Sequence, residues 1–246
     1  MKTNKYLHFV IIILVLTACK KEGEPATTVP VEFKETTYQT LGTFDATGKP
    51  SYLLAKDQIS SDLLTYVSQN FNGQDLRTTH PDLLSSTAIG DIDITQQSDV
   101  FITFVYQNTY LGNAIGFYTY PTNAPPASAK DIKTIIYAFP QAGDKTPLQA
   151  GDKVKIGRFD PGTSIGFVLL KSAWSYETSS LNNKAVHFCS NDVLNPEVDP
   201  SLKKHVVLVN YAPENKVLIA FEDLDRTTTI CDHDFNDLMI YATVTP

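Results

Sequence analysis

The sequence predicts a mainly β fold, an antiparallel β-sandwich of jelly-roll type with one N-terminal amphipathic helix. Three observations lead there. Short runs of β-branched and aromatic residues recur along most of the chain, Gly, Pro, Asn and Asp separate them, and one segment alone has apolar residues at helical spacing. Alternating βαβ units, which would signal a parallel sheet, are missing from this pattern. With 246 residues, 42% of them hydrophobic and 19% charged, the chain is long enough for a substantial core and too apolar for wholesale disorder. Its 27 acidic residues outnumber 20 basic ones, giving a net charge of −7, and no Lys/Arg-rich run breaks that balance. Binding to a nucleic-acid backbone is therefore not expected.

The first element is an address. Residues 1–18 carry Lys2 and Lys5, an apolar run from Phe9 to Leu16, and small residues before Cys19, the layout of a secretory signal. The apolar run is shorter than a membrane span, so an uncleaved anchor is the weaker alternative. Leu16-Thr17-Ala18-Cys19 resembles the bacterial lipobox, which implies lipidation at Cys19 and attachment to a membrane through the lipid. Residues 19–32 then read as a flexible tether, being polar, Pro-containing and without apolar periodicity. Lys20 and its charged neighbours resemble the sorting region of an outer-membrane lipoprotein of the Bacteroides type, on the periplasmic side or at the cell surface.

Residues 33–246 are expected to form a single β-rich domain. Ile59, Leu63, Leu64, Val67 and Phe71 share one helical face, with Ser60 or Ser61 as N-cap and Asn70-Phe71-Asn72-Gly73 as a stop. Strands are expected at 100–106, 115–120, 134–139, 154–159, 165–170, 205–211, 217–223 and 238–244, with residues 212–216 as a hairpin connection. The stretch 121–129 (PTNAPPASA) reads as a surface loop.

Six acids, Glu222, Asp223, Asp225, Asp232, Asp234 and Asp237, fall within sixteen positions near the C-terminus, with Asn236 among them. Alternation along 217–223 makes Asp223 continue the face of Val217, Ile219 and Phe221. A carboxylate there is costly unless bonded, paired or on a cation. Asp237 opens the next strand in the same manner, ahead of Met239 and Tyr241, so neighbouring strands would bring Asp223 and Asp237 to one rim. Asp232-His233-Asp234-Phe235-Asn236-Asp237 offers oxygen ligands at alternating positions, as Ca²⁺-binding loops do. It is not an EF-hand, because the sixth position is Asp237 instead of Gly and the twelfth is Thr243 instead of Glu. The competing account is a hairpin loop whose Asp and Asn side chains cap their own backbone.

Several of these segments resemble one known family. Gly151-Asp152-Lys153-Val154-Lys155-Ile156-Gly157, Ile165-Gly166-Phe167-Val168-Leu169-Leu170, the strand around His205-Val206-Val207-Leu208, and Phe221-Glu222-Asp223-Leu224 followed by Asp232-x-Asp234-Phe235-Asn236-Asp237 are similar to family 4114 of the domains of unknown function. That family is related to the LruC-type C-terminal domain of bacterial surface proteins, and the resemblance spans 148–245. It implies an extracellular calcium-binding β domain and no established activity. Cys231, inside the acidic loop, departs from the pattern.

Cys189 and Cys231 remain once Cys19 is assigned to the lipid. In an exported protein they suggest a disulfide. His187-x-Cys189 with Cys231-x-His233 offers a zinc site of unusual spacing as a less favoured alternative, and two buried thiols as a third. Gly162-Thr163-Ser164-Ile165-Gly166 matches G-x-S-x-G, yet its serine opens a strand where a nucleophile elbow needs a helix to follow. Asp91 and Asp93 share a strand face, and Trp174 is expected in the core. The functional expectation is a non-enzymatic, lipid-anchored surface module. Its Ca²⁺ would be held by Asp223, Asp232, Asp234, Asn236 and Asp237, with Glu222 and Asp225 as further candidates. Such a module would serve adhesion, assembly, or binding of a glycan or protein. A carbohydrate-processing enzyme using paired carboxylates, or a structural part of a surface appendage, is the alternative.

Overall fold

A computed structural model describes residues 26–85 and 87–246. The signal segment 1–18, the lipid attachment at Cys19 and tether residues 19–25 lie outside the described residues. Among those described, no helix is long and apolar enough to cross a membrane.

The chain forms β1 (Thr37–Thr40), α1 (Ser61–Asn70), α2 (Leu76–Thr79), β2 (Ile92–Ile94), β3 (Ser98–Gln107), β4 (Ala114–Pro121), β5 (Thr134–Phe139), β6 (Lys153–Phe159), β7 (Thr163–Lys171), β8 (Trp174–Ser175), β9 (Ser180–Leu181), β10 (Val186–Cys189), β11 (Val206–Tyr211), β12 (Lys216–Phe221) and β13 (Leu238–Thr245). One sheet has the order β1-β5-β4-β7-β10, with β2 also on β7. The other has the order β11-β12-β13-β3-β6. All eight expected strands are present. The extra ones have two to four residues each, too few for a periodic signal in sequence. Pairing is antiparallel except between β1 and β5, which run parallel.

The two sheets stack face to face as a sandwich. Ile102 and Phe104 of β3, Phe117 of β4, Phe167 and Leu169 of β7, Ile219 and Phe221 of β12 and Ile240 of β13 fill the space between them. The outer face of the second sheet is apolar too, because α1 covers it. Leu63, Val67 and Phe71 pack on Val207, Leu218, Met239 and Tyr241 together with Phe235. Ser60 caps α1 by accepting a hydrogen bond from the Leu63 amide at 3.0 Å. Leu64, expected on the buried face, is 46% exposed. It follows Leu63 by about 100° around the helix, and the flat sheet beneath reaches only the Leu63, Val67 and Phe71 line. The short α2 was not foreseen.

Within the expected tether, Thr28 bridges to Glu197 and the Val29 amide donates to the Pro196 carbonyl at 2.7 Å, so its last residues lie along the body of the domain. Trp174 is buried and Tyr176 is exposed. Burial of Trp174 agrees with its expected place in the core, and Tyr176 falls outside the strand because β8 stops at Ser175.

Candidate metal centre

The site forms at one end of the sandwich, where β12 ends, β13 begins, and β3 turns into β4 through residues 108–113. β12 and β13 pair with Phe221 opposite Leu238, so the register holds the acids that flank those residues at the same rim. Asp223 and Asp237 meet there, as alternation and neighbouring strands require. The Asp223 amide donates to Asp237 Oδ2 at 2.8 Å. The two acids nonetheless continue opposite faces of the sheet: Asp223 follows the inward row of Ile219 and Phe221, whereas Asp237 precedes the outward row of Met239 and Tyr241 under α1.

The loop after β12 is shaped by two non-glycine residues in the left-handed region, His233 (φ 59) and Phe235 (φ 56). Such backbone costs of order 1 kcal/mol or more per residue and persists where surrounding contacts fix it. Here the contacts are plain. Phe235 is fully buried beneath α1, and the guanidinium of Arg226 lies 5.1 Å from its ring centre. Arg226 donates through Nε to His233 Nδ1 (3.1 Å) and through Nη1 to the Lys204 carbonyl (2.8 Å). The His233 carbonyl accepts the first amide of α2, that of Leu76, at 3.0 Å. Burial and the nearby guanidiniums of Arg226 and Arg77 push His233 down to about 4, so its ring is neutral at pH 7. The pinned residues alternate with the acidic ones. Cys231 and His233 line a cavity of about 770 Å³ together with Arg77 and Arg226, while Asp232 and Asp234 belong to a separate acidic group.

That group consists of Glu222, Asp232 and Asp234, whose nearest ligand oxygens lie within 4.8 Å of one another. Glu222 is fully buried, Asp234 is 3% exposed and Asp232 is exposed. The Leu224 amide reaches Glu222 Oε1 at 3.3 Å, but Glu222 Oε2 is buried with no hydrogen-bond partner. A buried, unpaired carboxylate oxygen is expensive, by several kcal/mol if the group stays charged. The site meets that cost by holding protons. Burial pushes Glu222 up to about 7, with the Asp232 charge adding to it. Asp234 rises to about 6 through burial and the same neighbour. Burial, then the charges of Asp223 and Glu222, raise Asp237 to about 9. Asp223 is also raised by burial, against the hydrogen bonds it accepts.

The seven residues expected to bind an ion therefore divide. Glu222, Asp232 and Asp234 converge, and Glu222, a secondary candidate in the sequence, is the most buried of them. Asp223 and Asp237 sit beside them with one oxygen each engaged, as Asp234 Oδ1 is by the Asn236 amide at 2.9 Å. Asp223 Oδ2 accepts from Thr109 Oγ1 and Asn113 Nδ2, both at 2.5 Å, and Asp237 Oδ2 takes the Asp223 amide. Asn236 Oδ1 accepts from Asn108 Nδ2 at 3.0 Å. Asp225 caps its own turn by accepting from the amide and hydroxyl of Thr227, the local role Asp takes in turns. Sequence reasoning missed Asn108, Thr109 and Asn113. They lie more than a hundred residues from their partners, and their one visible signal was a polar cluster following a strand.

The cysteine expectation is corrected. Cys189 and Cys231 are free thiols. Cys189 belongs to the cluster on the outer face of the first sheet, with Phe33 and Tyr137, whereas Cys231 lies beside His233 behind the acidic loop. The two halves of the alternative zinc motif are separated in the same way. His187 stacks on Phe33 at 4.2 Å and bonds Tyr38 Oη at 2.9 Å. Among the described residues, the group of three or more His, Cys, Asp or Glu able to share an ion is the oxygen-only one. Ser164 of the G-x-S-x-G segment lies within β7 and donates to Asp93, with no histidine among its partners.

Residues 159–245 match the model of a family described as a domain of unknown function (DUF4114). No curated protein and no solved structure matches the chain.

Proposed function

We propose, for a chain whose residues 159–245 are a domain of unknown function of family 4114, a lipid-anchored extracytoplasmic module in which the acidic rim holds a structural Ca²⁺. The observation that carries this reading is the Glu222, Asp232 and Asp234 group with a fully buried carboxylate oxygen that no amide or hydroxyl donor reaches. An all-oxygen, all-anionic donor set suits a hard divalent cation and not a thiophilic one. An ion at the centre of oxygens spaced this way would lie within about 2.8 Å of each, a short adjustment from the 2.3–2.6 Å of Ca²⁺ coordination. Bound there, it would replace the protons that otherwise neutralise the cluster, and would tie the loop before β13 to the end of β12.

A non-enzymatic role is supported by the surroundings. The acids at the rim are bonded to one another and to the loop 108–113, and the 770 Å³ cavity behind the loop is lined by other residues, Arg77, Asp199, Arg226, Cys231, His233 and threonines. The Cys19 signal would place the module at the outer membrane, where adhesion or assembly through a glycan or protein is the role we favour. Calorimetry and thermal melts test the metal claim. The expected result is saturable binding of millimolar or tighter Ca²⁺ and a higher melting temperature that a chelator reverses. A melt indifferent to both calcium and chelator would overturn it.

A further inference from the structure

The donor count at the rim has a consequence for what the ion does. Ca²⁺ takes six to eight oxygens. With one carboxylate bidentate, Glu222, Asp232 and Asp234 supply about four. One oxygen of each neighbouring side chain is already engaged: Asp223 Oδ2 by Thr109 and Asn113, Asp237 Oδ2 by the Asp223 amide, Asn236 Oδ1 by Asn108 and Asp225 Oδ1 by Thr227. The exposure of the three ligands is lopsided. Glu222 and Asp234 are buried and Asp232 is exposed. Coordination positions left over therefore open to solvent on the Asp232 side. Cys231 and His233, which flank Asp232, turn instead into the cavity behind the loop and offer no oxygen side chain there.

We infer that the ion at this rim is a bridge as well as a brace, and that its open positions take a pair of neutral oxygens from outside, the vicinal hydroxyls of a carbohydrate. This rests on the calcium reading above and goes one step past it. Charge selects the ligand class. Three carboxylates around a divalent ion leave the loaded site negative. A carboxylate or phosphate approaching it would be repelled, whereas a diol adds coordination without adding charge. A diol also matches two adjacent vacated positions, so the entropy of fixing the second hydroxyl is already met by the sugar ring.

Europium(III), a calcium substitute whose luminescence lifetime in water and heavy water counts the waters bound to it, separates the outcomes. On the purified protein the expected count is two or more, falling when methyl α-mannoside, methyl α-fucoside or methyl β-galactoside is titrated in. Asp232→Asn should keep the sandwich melt of the metal-free protein and weaken ion binding about tenfold, equivalent to about 1.4 kcal/mol. Binding of the lanthanide with no more than one coordinated water would show a closed, purely structural site and overturn the inference while leaving the calcium reading intact. A hydration count unmoved by all three glycosides would overturn it as well. Failure of both europium and calcium to bind would remove the calcium reading itself.

Discussion

Two ends of the sandwich each bury carboxylates, and they solve the problem differently. At the far end of β4, Asp91 is partly buried, and burial raises it above the ordinary carboxylate range. Its oxygens are satisfied all the same. Tyr120 donates to Oδ2 at 2.5 Å and Ser190 donates to Oδ1. At the rim where β12 ends, several acids crowd together, hydroxyl and amide donors reach Asp223, and none reaches Glu222 Oε2. Burial and a raised pKa are common to both ends, so neither marks a cation site. The distinguishing mark is acceptor capacity that the protein leaves unused.

That contrast is open to attack, first at its most sensitive residue. Glu222→Gln should abolish the calcium-dependent gain in stability, a gain of about 2.7 kcal/mol when calcium stands a hundredfold above its Kd. In chelator the same variant should be no less stable than the parent, since it removes a charge from a mutually repelling group. Melts of both proteins with and without calcium check this, and a parent-sized calcium shift in the variant would sink the assignment. The pH dependence belongs to the same arm. Glu222, Asp234 and Asp237 bind protons more tightly folded than unfolded, whereas the depressed His187 and His233 favour folding increasingly up to about pH 6.5, so the metal-free protein should lose stability as pH rises above 6.5, through the folded values of Glu222 near 7 and Asp237 near 9. Saturating calcium, by taking the place of those protons, should flatten the decline. A metal-free melt that instead rises across that window would contradict the crowding.

At the opposite end, Asp91→Ala should cost about 2 kcal/mol by stranding the hydroxyls of Tyr120 and Ser190, and the loss should be the same with or without calcium. Denaturant unfolding in both conditions measures it, and a calcium-sensitive loss would erase the distinction between the two ends. The smallest effect is expected at Ser60, whose replacement by Ala removes the cap of α1 for about 1 kcal/mol, again independent of calcium. Far-UV circular dichroism during the melt reports it.

The rim also shows where local pattern stops being informative. Alternation placed Asp223 correctly after Phe221, and the D-x-D-x-N spacing identified the loop. Neither revealed that Asp223 and Asp237 spend their oxygens on protein donors, because those donors come from residues 108–113 and arrive only through the β3–β13 pairing. The same limit explains the cysteines. Odd count and exported context suggested a pair, but Cys189 faces the outer cluster of one sheet and Cys231 hangs from a loop of the other.

What the sequence determined by itself is what short-range periodicity and composition control. The eight long strands, the capped helix α1, the sandwich class and the concentration of acid before β13 all follow from which side chains must leave water and which backbone must turn. Tertiary structure alone decided which of seven candidate ligands converge, that Glu222 is the buried one, and that Asp232 is left facing outward. Those outcomes depend on strand register and on a loop held in left-handed turns at His233 and Phe235 by Arg226, α1 and α2. Contacts between residues far apart in the chain create that geometry, and a local pattern carries no record of them.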